Sequence, residues 1–425
     1  MQITKKMVKT SGVVYTPSFI VNNILDIIKY NDHNILNKHI IDNSCGDGAF
    51  LVEIVSRYIK IFLINNNNKK ELKNHLETYI HGIEINANAY NKCIKQLDEL
   101  VKNFNIENVN WNILNKNTLD VEIFNQKMDF VVGNPPYVRI HNFEKEYNKI
   151  KNFSFAKKGM SDLYIVFFEI GINMLNPNGK LCYITPSSYF NSLASQEMRQ
   201  YFCENKLIKK IVDLKHFQAF NATTYTAITL LDKNNTENFI KYFEYDDKVF
   251  EPKFIDFLKI DDFYINKSFY FNKKSKLINL KEILNNNKMD KVEVKNGLAT
   301  LCDKVFIQDF KINSDFILPI IKASRAKYTK IFYPYDENGI LINIDEIKKD
   351  SEIFNYLLKN KDLLLNRDIK MLKKDEWYAF GRTQGILDTY KTKIAINNLL
   401  KIEGDLKIID CPAGVAVYSG LYIIF

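Results

Sequence analysis

At 425 residues, with 46% hydrophobic and 26% charged residues, the chain has an ordinary globular composition and room for about two or three domains. Its 15 Gly and 9 Pro exclude collagen-like or linker-dominated readings, and its six scattered cysteines form neither a disulfide framework nor a metal-ligand spacing. The net charge of +9 permits a polyanionic partner without demanding one, and with no signal peptide and no membrane-length apolar run a cytoplasmic setting is expected.

Ser18–Lys29 reads as a helix, with Pro17 at its start and Phe19, Ile20, Ile24, Ile27 and Ile28 along it. His39–Asp42 reads as a short buried strand and Asp47–Ile64 as an amphipathic helix. Asn65–Asn68 reads as a loop, Thr78–Glu84 as a strand and Ala87–Asn103 as a helix. Asn110–Leu114 and Met128–Gly133 read as strands, and Ser161–Leu175 as a helix. Gly179–Thr185, Ile208–Leu214 and Thr224–Leu231 read as further strands. This alternation predicts a doubly wound α/β domain, Rossmann-like, with a mainly parallel sheet. After Asp232 the pattern changes to Lys- and Asn-rich segments with aromatic runs at Phe239–Phe243 and Phe263–Phe271. A boundary is expected between 232 and 275, with an α+β region beyond it.

Three segments suggest a nucleoside-type ligand. In Ile40 through Phe50 a strand ends in a turn with Gly46 and Gly48 and leads into a helix, so the backbone can approach a ligand closely. The spacing is Gly-x-Gly only, short of the full dinucleotide fingerprint, and a plain strand-turn-helix explains it about as well. Glu84 closes the second strand, where one carboxylate can accept from both hydroxyls of a ribose; a solvated strand end is the bland alternative. Tyr15-Thr16-Pro17 precedes the first helix, a place where Thr and Pro usually only cap.

Asp129 through Gly133 is an apolar strand that runs into Asn134-Pro135-Pro136-Tyr137. Two prolines stiffen the turn and leave its carbonyls free to face a ligand. The chemistry suits an adenine amino group, whose lone pair is delocalised into the ring. The Asn134 side-chain oxygen and the Pro135 carbonyl can accept its two N–H groups and aim that lone pair at a sulfonium methyl. Positive charge develops on the nitrogen during attack, so preplaced acceptors favour the transition state. Tyr137 would stack on the base, which must leave the duplex to be reached.

This ordered set resembles the amino-terminal-cofactor-motif, or gamma, class of N6-adenine DNA methyltransferases typified by the TaqI enzyme. Tyr15-Thr16-Pro17 resembles that family's first cofactor segment. Asp42 through Phe50, with Cys45, Gly46 and Gly48, resembles its glycine loop, and Glu84 its ribose acid. Asn134-Pro135-Pro136-Tyr137 matches its catalytic motif unchanged. Asp162-Leu163-Tyr164 and Gly179-Lys180-Leu181 fit the next two segments. The resemblance implies S-adenosyl-L-methionine as cofactor, no metal, double-stranded DNA as partner, and a restriction-modification setting with a separate endonuclease.

It also implies a catalytic domain over residues 1–240 and a target-recognition domain over 275–425. Within the latter, Asn296 through Thr300 and Trp377 through Gly385 resemble family segments, and Arg382 suits a phosphate or a guanine edge, with a structural Arg an equal alternative. Two departures stand out. Asn117, with Asp120 nearby, occupies the place of an Asp that holds the cofactor's adenine. The second aromatic against the flipped base is open between Phe167 and Tyr225. The apolar run at the end of the chain suggests a recognition domain that is cut short or closes a sheet there. A protein glutamine or RNA adenine methyltransferase shares the turn chemistry, but leaves the nearly 200 residues after the catalytic half unexplained. A DNA-binding module without catalysis leaves Gly46, Gly48, Asn134 and Tyr137 unexplained.

Overall fold

The computed structural model describes residues 16–140, 146–158, 162–220, 224–286, 293–367, 369, 374–397 and 406–424. The chain divides into two compact units, Met1–Asn286 and Asn287–Phe425.

The first unit is built on nine strands: β1 (Ile40–Asp42), β2 (Ile80–Ile83), β3 (Asn112–Leu114), β4 (Met128–Gly133), β5 (Leu175–Pro186), β6 (Ile208–Asp213), β7 (Thr226–Asp232), β8 (Ile240–Asp246) and β9 (Glu251–Leu258). Their order in the sheet is β3-β2-β1-β4-β5-β7-β6-β8-β9. The pairs from β3 through β5 are parallel, whereas β7 lies antiparallel between β5 and β6. Helices α1 (Ser18–Ile27), α2 (Ala49–Asn65), α3 (Lys69–Tyr79) and α4 (Ala87–Lys102) are joined in this unit by α5 (Leu163–Met174) and α6 (Gln196–Glu204).

Adjacent strand residues feed opposite cores, as a period of two requires. Ile40, Val132, Ile184 and Val212 pack with α1 through α4, while Ile41, Val131, Tyr183 and Ile211 pack with α5 and α6. Both faces are therefore covered, which is why the central strands read as continuous apolar runs. The fold is the expected α/β class.

Three local expectations change. Lys69–Tyr79 is a helix that the apolar pattern missed; only Leu72 and Leu76 are buried on it, and Asn68 caps it by accepting from the Lys70 and Glu71 N–H groups. Phe263–Phe271 is not one strand but the short hairpin β10 (Tyr264–Ile265) and β11 (Ser268–Phe269), turned by Asn266 and Lys267 at φ 48° and 63°. The region 232–286 belongs to the first unit, because β8 and β9 extend the sheet and α7 (Lys274–Asn286) follows them.

The second unit is α+β, with two four-stranded sheets. One has the order β12 (Glu293–Asn296), β19 (Leu421–Ile424), β16 (Lys393–Ile396), β17 (Ile408–Cys411). The other has β13 (Ile307–Gln308), β15 (Lys327–Phe332), β14 (Ile317–Lys322), β18 (Ala416–Tyr418). The apolar run at the end of the chain is thus split between β18, where Val417 and Tyr418 lie, and β19, which is paired on both sides. Arg367 ties this unit together. Its guanidinium donates to the carbonyls of Leu364, Thr300, Ala379 and Trp377 at 2.7–3.1 Å and lies 5.4 Å from the centre of the Phe306 ring. Among the described residues, no helix is long and apolar enough to cross a membrane.

At the base of the first sheet, His39 Nδ1 and His81 Nε2 lie 2.9 Å apart, sharing one proton between stacked rings. Burial, and then His39, lower the His81 pKa to about 3. An unfolded histidine titrates near 6.5, so below that pH the unfolded chain takes up a proton that the folded one refuses. His81 should therefore lower stability progressively as pH falls from 6.5 toward 3, by on the order of 4–5 kcal/mol at the end of that window. His81→Gln, which cannot ionise, should flatten that part of the pH profile in denaturant melts. Parallel profiles for variant and wild type would show that His81 does not carry the effect.

Candidate active site

The order β3-β2-β1-β4-β5 reverses direction between β1 and β4, the place where open α/β sheets bind ligands beyond the strand ends. Both key loops leave the sheet there. Asp42 and Val132 are partners across the parallel pair, so the glycine loop and the Asn134 turn emerge side by side.

Asp42 ends β1 with 1% of its surface exposed and accepts from the Ser44 N–H at 3.0 Å. Burial raises its carboxyl to about 7, opposed by the Ser44 N–H and helped by the Glu84 charge. Gly133 faces it. A Cβ on Gly133 would stand 2.8 Å from the Asp42 carboxylate, and its φ of 152° is one that L side chains avoid. The seam thus admits only glycine at 133 without displacement.

Gly46 and Gly48 take φ of 56° and 99°, which bends the loop into α2. Among the described residues, nothing lies within 4 Å of where a Gly46 Cβ would stand, whereas at Gly48 it would meet Cys93 Sγ at 2.8 Å. The Cys45 N–H donates to the Ile83 carbonyl, and its thiol is turned into the core against Cys93, a contact that together with burial raises its pKa. Cys45 therefore shapes the loop through its backbone. Glu84 bridges the rim: one oxygen accepts from the Gly46 N–H at 2.9 Å and the other from the Asn86 N–H at 2.7 Å. Asn117 caps a short turn, Thr118–Asp120, by accepting from the Leu119 N–H. Asp120 is exposed and pairs with Lys149. Thr118 donates to the carbonyl of Asn43, whose side chain accepts from the Tyr183 hydroxyl, so the turn is anchored to the glycine loop.

On the other side of the seam, the Asn134 side-chain amide donates to the Thr16 hydroxyl at 3.1 Å. Thr16, expected at the cofactor, thus orients Asn134 across 118 residues of sequence. Tyr15 lies outside the described residues. Pro135 is buried and Pro136 half-buried. The Tyr137 hydroxyl donates to the Ile184 carbonyl at 3.1 Å, and burial holds its pKa well above the usual value while the ring stays partly open. Among the described residues, its ring neighbours are Tyr164 and Phe220, both edge-on at 6.3 and 6.2 Å. The two aromatics considered from sequence are elsewhere. Phe167 is 5% exposed in the α5 core, and Tyr225 stands edge-on to His216. Sequence reasoning missed Phe220, whose only signal was an aromatic-rich connection between β6 and β7.

Residues 47–220 match the Eco57I restriction-modification methylase family. The chain is 25% identical over 433 residues to the type II methyltransferase M.BstVI of Geobacillus stearothermophilus, covering 88% of this chain and 75% of that protein. It is 27% identical over 478 residues to the type II restriction enzyme and methyltransferase RM.Eco57I of Escherichia coli, covering 88% of this chain and 48% of that protein. It therefore spans three quarters of one relative and about half of the other. Among solved structures, the type IIL restriction-modification enzyme MmeI, in complex with DNA, aligns with a TM-score of 0.67 at 13% identity, over 99% of this chain and 64% of that one. At that identity the likeness is one of fold. Over residues 47–220, then, the chain is similar to the Eco57I restriction-modification methylase family.

Proposed function

We propose that the chain is a site-specific DNA methyltransferase that moves a methyl group from S-adenosyl-L-methionine to the exocyclic N6 of adenine in double-stranded DNA. It would serve as the modification enzyme of a restriction-modification system, with a separate restriction endonuclease as partner. The observation that carries this reading is the seam between β1 and β4, where the glycine loop and Asn134-Pro135-Pro136-Tyr137 leave the sheet together. The first unit is the catalytic domain in this reading, and the second, from 287 on, the target-recognition domain.

The residues present fit the cofactor. Among the described residues, open space lies beside Gly46, and each Glu84 oxygen that accepts a backbone N–H has a second lone pair with which to accept from a ribose hydroxyl. The Asn117 oxygen caps its turn, which leaves its NH₂ group to donate to a ring nitrogen. When bound, S-adenosyl-L-methionine supplies an electrophilic sulfonium methyl. The protein's part is to orient the amino nitrogen. Thr16 holds the Asn134 nitrogen, which fixes the rotation of the amide and with it the direction of its oxygen. That oxygen and the Pro135 carbonyl accept the two amino N–H groups and stabilise the charge that develops there. Tyr137, fixed through its hydroxyl, offers its ring to the flipped base, with Phe220 beside it.

Asn134→Ala should reduce methyl transfer by about 100–1,000-fold, as for loss of one preplaced partner of a transition-state charge, and leave cofactor affinity nearly intact. Transfer within tenfold of wild type would remove Asn134 from this role. Glu84→Ala should weaken S-adenosyl-L-methionine binding in calorimetry by about 1.5–3 kcal/mol, typical of charge-assisted bonds, without altering DNA affinity. Unchanged cofactor affinity would place the ribose elsewhere. Asp42 adds a pH signature. Its carboxyl, raised to about 7, is ionised above that pH and protonated below it. If the carboxylate holds the cofactor, affinity is steady above pH 8 and falls about tenfold per unit below 7. Asp42→Asn should flatten that profile; an unchanged slope in the variant would assign the titration to another group.

A further inference from the structure

In the second unit, the turn between β14 and β15 concentrates positive charge on a rigid, exposed support. Ala323–Arg325 form one turn of 3-10 helix, and Ala326 reverses the chain at φ 53°. The Ser324 N–H donates to the Ser419 carbonyl at 3.0 Å, and the two serine hydroxyls lie 3.1 Å apart. β14 and β18 pair beside it, with Lys322 opposite Tyr418. Arg325, Lys327 and Tyr328 are exposed, and Lys322 Nζ lies 5.7 Å over the Tyr418 ring. Among the described residues, none of Lys322, Arg325 and Lys327 has an ion pair with a carboxylate, whereas Lys295, Lys348, Lys349 and Lys391 of the same unit all do. Asp303 and Asp410 bear on Tyr418 and Tyr328 respectively, and the cations outnumber them.

The turn continues into the segment that resembles a recognition element. The Gly297 N–H donates to the Gly420 carbonyl, next to Ser419. The Gln384 side chain donates to the Gly297 carbonyl at 2.7 Å. Arg382 and Thr383, just before it, are exposed. Cations held without counter-ions on a braced turn repel one another unless an anionic partner neutralises them. A regularly charged polyanion interleaved with sugars matches such a surface of paired cations and tyrosines.

We propose that the 322–328 turn grips the sugar-phosphate backbone of double-stranded DNA, with Arg325 and Lys327 each neutralising a phosphate. This rests on the DNA-modifying reading above and assigns its charge-dependent binding to one surface. Phosphate contacts carry no sequence information, so this surface sets affinity and register while discrimination resides elsewhere.

The test is the salt dependence of duplex binding by the full chain. Each phosphate contact adds about 0.9 to the slope of log affinity against log salt. Arg325→Gln/Lys327→Gln should lower that slope by about 2, weaken binding equally on cognate and unrelated duplexes, and leave S-adenosyl-L-methionine affinity and the melting temperature unchanged. Lys348→Gln/Lys349→Gln removes the same charge from another surface and should leave the slope unchanged. An equal drop in both double variants would mean a diffuse charge effect and overturn the proposal. So would an unchanged slope in the first variant while the wild type binds with strong salt dependence. A wild-type chain without salt-dependent duplex binding would sink the wider reading, and this one with it.

Discussion

A carboxylate almost wholly out of water lies where the strand order turns back on itself, and the neighbouring chain is arranged around it. Asp42 accepts from the Ser44 N–H in its own loop, faces the bare Cα of Gly133, and feels the charge of Glu84 at the rim. Burying such a group is costly unless hydrogen bonds compensate, so the loop that follows is wound tightly enough to return an N–H to it. That winding brings Gly46 to Glu84, and the absence of a side chain at 133 lets β4 run close enough for Asn134 to reach Thr16. The geometry on both sides of the seam follows from keeping one charge close to neutral in a dry place.

Much of this was legible in the sequence, for definite reasons. Met128–Gly133 is a strand over the bounds its apolar run suggests, because Val131 and Val132 are buried on opposite faces and nothing but a covered central strand needs both. The helix Lys69–Tyr79 was not legible, since its two buried leucines are too few to outweigh nine mostly polar neighbours. The aromatic run Phe263–Phe271 misled, because its period suggests a strand while its local chain reverses at two residues in left-handed conformation. Side-chain partnerships were the hardest to foresee. Thr16 with Asn134, and Tyr137 with Phe220, join residues far apart in sequence, and no local pattern records which aromatic will meet which.

The second unit solves a different problem. Two segments singled out by resemblance, 296–300 and 377–385, are distant in sequence, and neither is a regular element through its length. Arg367 donates to three carbonyls in them, those of Thr300, Trp377 and Ala379, and Gln384 bonds directly from one segment to the other. A guanidinium can serve acceptors spread around a plane; a lysine ammonium has three donors from a single point. The surface these segments present is therefore set by a half-buried group whose donors are spent on the backbone, which separates the chemistry of support from the chemistry of contact.

The position of β7 has a bearing on how the protein is made. It is synthesised after β6 yet lies between β5 and β6, running against both. A nascent chain that has emerged only through Asp213 therefore carries a β6 with no partner in the sheet, and β5 as an open edge. Thr226–Asp232 closes both at once, and with them the Ile184 carbonyl strand on which the Tyr137 hydroxyl rests. Vectorial synthesis thus leaves the sheet beside Tyr137 unclosed until about 230 residues are out, a window in which the ribosome-bound intermediate exposes the open edge of β5 to its neighbours.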